Sequence, residues 1–81
     1  MVKLPRDVSG RRLMQALSRL GYQRISQKGS HVRLYTAENG GNRVIVTDEK
    51  TIPIGTLHDT LGYIARHFSV SIEELLRLLK L

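Results

Sequence analysis

The chain has 81 residues, no cysteine and a formal net charge of +6 at pH 7. A chain of that length is expected to form one domain, 1–81, too small for a deep active-site cavity; the missing thiols exclude disulfides and thiolate metal sites, and no apolar run approaches the ~20 residues of a membrane span. No apolar core of a signal peptide is present near the N-terminus, so the expected compartment is the cytoplasm. The charge is unevenly spread: residues 1–36 hold eight of the 13 Lys and Arg against Asp7 alone, whereas residues 37–81 hold five against six acids. Clustered positive charge points to a polyanion, nucleic acid first, because each neutralised phosphate releases counterions. The competing reading is a basic surface kept for solubility or for an acidic partner protein.

Ser9 or Asp7 can cap a helix over residues 9–20. In it Leu13, Ala16, Leu17 and Leu20 recur on one face, and Arg11, Arg12, Gln15, Ser18 and Arg19 take the other. Gly21 stands where a left-handed C-terminal cap is commonest. Residues 22–26 read as a strand, which Lys28-Gly29 breaks. Residues 31–36 then alternate, with Val32 and Leu34 on one face and His31, Arg33 and Tyr35 on the other. Glu38-Asn39-Gly40-Gly41-Asn42 is the strongest turn signal and joins this strand to another over 43–47. After a polar loop from Asp48 to Gly55, Thr56 opens a second helix whose Leu57, Leu61, Ile64, Ala65 and Phe68 share a side. Ser71-Ile72-Glu73-Glu74 is a capping box that starts a short terminal helix through Leu79. Leu78 and Leu81 fall outside its stripe, either packed on the body or marking a docking surface.

This order predicts an α+β fold, a three-stranded antiparallel sheet with helices on one face. The other face stays open and carries His31, Arg33, Tyr35, Arg43, Ile45 and Thr47. A substrate is expected there.

On that face, Gln27-Lys28-Gly29-Ser30-His31 brings together a cation, a backbone hinge, a hydroxyl and an imidazole. Cutting RNA needs no metal when the substrate's own 2′-hydroxyl is the nucleophile. The protein must move protons and offset charge on the crowded phosphate. An imidazole with an unperturbed pKa of ~6.5 serves the first task. Lys28, Arg24 and Arg33 can serve the second, Ser30 can donate to a phosphate oxygen, and Gly29 lets the backbone come close. A lone histidine at a strand start is also commonly a plain surface residue, and the residues alone leave both readings open. His58 and His67 are not spaced as ligands of one metal and are expected to be ordinary surface groups.

Three features of the chain resemble the HicA (YcfA-like) family of toxins from toxin–antitoxin systems. These are the Leu-rich helix ending in Leu20-Gly21-Tyr22, then Lys28-Gly29-Ser30-His31, then Gly55-Thr56-Leu57 at the second helix. The tail Ser71-Ile72-Glu73-Glu74-Leu75-Leu76 resembles that of longer members. The resemblance implies an α-β-β-β-α fold like the double-stranded-RNA-binding domain. It also implies a metal-independent endoribonuclease that cuts mRNA without a cofactor, with His31 in the place of the family's catalytic histidine. The implied partner is a HicB-type antitoxin that covers the active face, DNA being reached only indirectly through it. One departure stands out: many relatives carry a Pro-x-His element before the second helix, and here Thr47 and Glu49 occupy those positions. Glu49 is therefore a candidate auxiliary base. The alternative on the same fold is an RNA-binding module that does not cut, and a third reading is a protein–protein adaptor.

Overall fold

In the computed structural model, which describes residues 3–81, the sheet is built from β1 (Gln23–Lys28), β2 (His31–Thr36) and β3 (Asn42–Thr47), all antiparallel, with β2 in the centre. The helices are α1 (Gly10–Leu17), α2 (Ile54–Phe68) and α3 (Ile72–Leu79). This is the expected α+β order with a short C-terminal helix. None of the described helices is long and apolar enough to cross a membrane.

The core follows from the alternation in the sheet. Val32, Leu34 and Thr36 of β2 are buried together with Val44 and Val46 of β3, while the residues between them are exposed or nearly so. Leu13 and Leu17 of α1, Leu57, Leu61 and Ile64 of α2, and Leu75 and Leu79 of α3 close over that face in one apolar cluster. Thr36 is the one polar side chain buried in it among the described residues, and it is fully used. Its hydroxyl donates to the Leu20 carbonyl at 2.8 Å and accepts from the Glu38 amide at 3.1 Å.

Helix boundaries moved where backbone geometry overrides residue pattern. The expected helix over 9–20 is α-helical only to Leu17. Ser9 caps it, accepting from the Arg12 amide at 3.0 Å. Residues Ser18–Leu20 tighten into a 3₁₀ turn, and Gly21 at φ +84° reverses the chain into the sheet. The strand expected over 22–26 runs instead from Gln23 to Lys28, because pairing with β2 continues to the hairpin turn; Tyr22 lies buried beneath its start. Burial pushes the Tyr22 phenol above its ordinary pKa, partly offset by a hydrogen bond from Asn42 at 2.7 Å. α2 begins at Ile54, two residues before Thr56. Half of the capping box at α3 forms: Ser71 Oγ accepts from the Glu74 amide at 3.0 Å, but the Glu74 carboxylate turns to Arg77. Leu81 packs against the core and Leu78 is exposed.

α1 is locked to the far end of β3. The Gly10 amide donates to the Glu49 carbonyl at 2.9 Å and the Ile52 amide to the Val8 carbonyl at 2.8 Å. An alanine Cβ at Gly10 would run into the Thr47 carbonyl oxygen. Gly10→Ala is therefore expected to lower the unfolding free energy by about 1–3 kcal/mol, seen as an earlier urea midpoint. Gly55 has open space around it, and Gly55→Ala should stay within about 1 kcal/mol of the parent.

Candidate nucleic-acid interface

His31 is the first residue of the central strand and faces away from the helices. It is paired with Lys28 across the two-residue turn Gly29-Ser30 and, on its other side, with Thr47. Gly29 has φ +59° and Ser30 is not among the positive-φ residues. Glycine at the first of two turn positions is the pattern of a type II′ hairpin, whose twist suits the flanking strands. The first row across the open face thus reads Lys28, His31, Thr47; the next reads Ser26, Arg33, Ile45; the third reads Gln23, Tyr35, Arg43. Neighbours within a row lie roughly 5 Å apart at Cβ, and rows are separated by roughly 7 Å.

Main-chain bonds hold this end of the sheet. The Ser30 carbonyl accepts from the Asp48 amide at 2.7 Å, one residue from the Glu49 carbonyl that receives the Gly10 amide. The hairpin tip, the exit of β3 and the start of α1 are therefore joined. At the opposite end, Asn39 Nδ2 donates to the His67 carbonyl at 2.6 Å and His67 Nε2 lies 3.0 Å from the Glu38 carbonyl. His67 is thus a half-buried tie between α2 and the β2–β3 turn, not the plain surface group expected. From that tie the 15 residues of α2 reach back roughly 22 Å, about the length of β3. Its N-terminus has no side-chain cap.

The residues singled out in the sequence divide between two faces. Lys28, His31 and Arg33 share the open face, with Gly29 and Ser30 in the turn beside them. Arg24 is separated from them. It pairs with Leu34, whose side chain is in the core, and lines a cleft of about 580 Å³ on the helix side with Arg11, Gln15 and Asp48. A β-bulge between Arg24 and Ser26 causes the change of face. Glu49 is half-buried just beyond Thr47, its main chain bonded to Gly10 and Thr47, and it makes no ion pair among the described residues. The neighbouring Asp48 pairs with Arg11 at 3.5 Å. No three His, Cys, Asp or Glu among the described residues gather as a metal site.

Next to the His31 row lies an open groove of about 610 Å³. Ile25, Ile45, Arg33 and Arg43 line it from the sheet, Asp59 and Tyr63 from α2. The α2 wall was not legible in the sequence. Its one signal was Tyr63, a large aromatic off the apolar stripe of that helix, here 45% exposed with its hydroxyl donating to Asn42 Oδ1 at 3.0 Å.

A family model described as HicA toxin of bacterial toxin–antitoxin matches residues 10–61, from the start of α1 to the middle of α2. No curated protein and no solved structure matches the chain.

The turn that sets Lys28 beside His31 depends on the positive φ of Gly29. Gly29→Ala should cost about 1–2 kcal/mol and accelerate hydrogen exchange of the Asp48 amide, which is bonded to the turn.

Proposed function

The chain belongs to the HicA toxin family of toxin–antitoxin systems, and we propose that it arrests growth by cutting mRNA as a metal-independent endoribonuclease with His31 as the proton carrier. The observation that carries this reading is the row Lys28, His31, Thr47 at the end of an open face that also bears Arg33 and Arg43. An exposed imidazole between a cation and a hydroxyl, at the end of an open sheet face, is accessible to a polymer. A small metabolite would find little enclosure there.

In the proposed step His31 accepts the proton of a ribose 2′-hydroxyl as its oxygen attacks the adjacent phosphorus. The bond to the 5′-oxygen breaks, that oxygen takes up a proton from water or from the imidazolium, and a 2′,3′-cyclic phosphate remains. Lys28 and Arg33, in the same row and the next, offset the negative charge that builds on the phosphoryl oxygens. Ser30 and the turn amides lie at the same end of the strand pair. The auxiliary base, where one is used, is Glu49, two residues beyond the partner of His31. A HicB-type antitoxin covering the open face would block this chemistry, and DNA would be contacted through that partner alone. An mRNA target sets the site of action in the cytoplasm.

A second reading is favoured by one observation: the positions where many relatives carry Pro-x-His hold Thr47 and Glu49. On it the same face binds RNA without cutting.

The two separate in a single assay. Purified protein should shorten RNA in the presence of EDTA, and His31→Ala should reduce cleavage by 100-fold or more, on the order of a general acid–base contribution, with an unchanged circular dichroism spectrum and no growth arrest on expression. Full-length RNA shifted on a gel by the parent protein would establish the binding reading, and cleavage retained by His31→Ala would remove His31 from the mechanism. Glu49→Gln should slow cleavage while leaving RNA affinity unaltered if Glu49 assists. Lys28→Ala and Arg33→Ala should each flatten the dependence of log affinity on log salt by about 0.7 for single-stranded RNA.

A further inference from the structure

The groove beside His31 has a composition that phosphate contact does not require. Its floor is made by Ile25 and Ile45, each 53% exposed. Aliphatic side chains of that size on a sheet surface, flanked by Arg33 and Arg43 and walled by Tyr63 and Asp59, form an amphipathic slot. The arginines match a polyanionic backbone, and the isoleucines and the tyrosine match a flat π-face. Asp59 is an acceptor-only group within the same slot. One of its oxygens is 3.5 Å from His58 Nδ1, and the side chain is 88% exposed, so the carboxylate is available to a ligand.

Geometry relates the slot to the reacting phosphate. Arg33 is two residues along β2 from His31 on the same face, roughly 7 Å away, and Ile45 is its partner in the row. That offset is on the scale of the step from a nucleotide's phosphate to its base. The bulge that exposes Ile25 widens the floor to all three strands.

Resting on the ribonuclease reading, we infer that this groove is a base subsite: it takes one unpaired nucleobase next to the phosphate at His31 and favours bases with an exocyclic amino group over uracil. The base lies on Ile25 and Ile45 with Tyr63 at its side. Its amino group donates to the Asp59 carboxylate. Uracil offers a single N–H between two carbonyls, and both carbonyls oppose the carboxylate. A base held in a duplex cannot enter, so the substrate is single-stranded.

The test measures binding apart from cleavage. Full-length His31→Ala protein is titrated with labelled hexaribonucleotides of uridine carrying one central adenosine, cytidine or uridine, and read by fluorescence anisotropy. The adenosine and cytidine oligomers should bind about fivefold or more tighter than all-uridine RNA, on the scale of one net hydrogen bond. Asp59→Asn, whose amide both donates and accepts, should collapse that preference, and Ile45→Ser should weaken all three oligomers. Equal affinity for the three oligomers, or a preference unmoved by Asp59→Asn, overturns the subsite. Cleavage of the same oligomers by the parent protein is scored separately. Base-selective binding without cleavage supports the subsite and sinks the ribonuclease, whereas cleavage indifferent to the central base, with Ile45→Ser as fast as the parent, does the reverse.

Discussion

The central strand can satisfy its apolar residues in one way only, and most of the molecule follows from it. β2 has a neighbour on each side, so both of its backbone edges are paired and its side chains have just two directions available. Val32, Leu34 and Thr36 must go under the helices, and that sends His31, Arg33 and Tyr35 to the other side. A slip of one residue would bury a histidine and an arginine and expose two aliphatics. The register that protects the core is therefore the same one that presents the imidazole.

Two sets of ties turn that register into a fixed site. Near His31, the bonds from Asp48 to Ser30 and from Gly10 to Glu49 join three segments far apart in sequence. At the other end, Asn39 and His67 hold α2 against the β2–β3 turn, and Asn42 links the buried Tyr22 to the exposed Tyr63. The C-terminal half of α2 is thereby tied to the β2–β3 turn and the start of β3, which sets the Tyr63 side of the groove. For a chain this small, such ties do what a large core does elsewhere: they hold surface side chains in place.

Two of the basic regions of the surface differ in character. The open face joins cations to an imidazole, a hydroxyl and aliphatic side chains. The cleft between α1 and β1 joins Arg11 and Arg24 to polar groups, with Arg11 already paired to Asp48. Only the first combines charge with a proton carrier. The excess of positive charge in residues 1–36 is thus dispersed: Lys28 and Arg33 lie on the open face, Arg11 and Arg24 at the cleft, and Arg12 and Arg19 beside the end of α3 with Lys80.

Residue pattern alone was enough for the order of elements, the covered and open sides of β2 and β3, and hence Arg33 on the face of His31; Lys28 read as the break after β1, and only the pairing across Gly29-Ser30 sets it opposite His31. Period-two alternation is a local rule and needs no knowledge of the rest of the chain. It did not determine the role of β1. Counting back from Lys28 by alternation puts Arg24 on the open face and Ile25 in the core. The bulge at Ile25 inserts one residue, reverses the phase, and leaves Arg24 on the helix side and Ile25 exposed in the groove. The wall supplied by Asp59 and Tyr63 was likewise set by tertiary structure, since it depends on ties between α2 and the β2–β3 turn nearly 30 residues away in the chain. Faces are encoded residue by residue. Which strand bulges, and which helix flank comes to rest beside the open face, is decided when distant segments share one core.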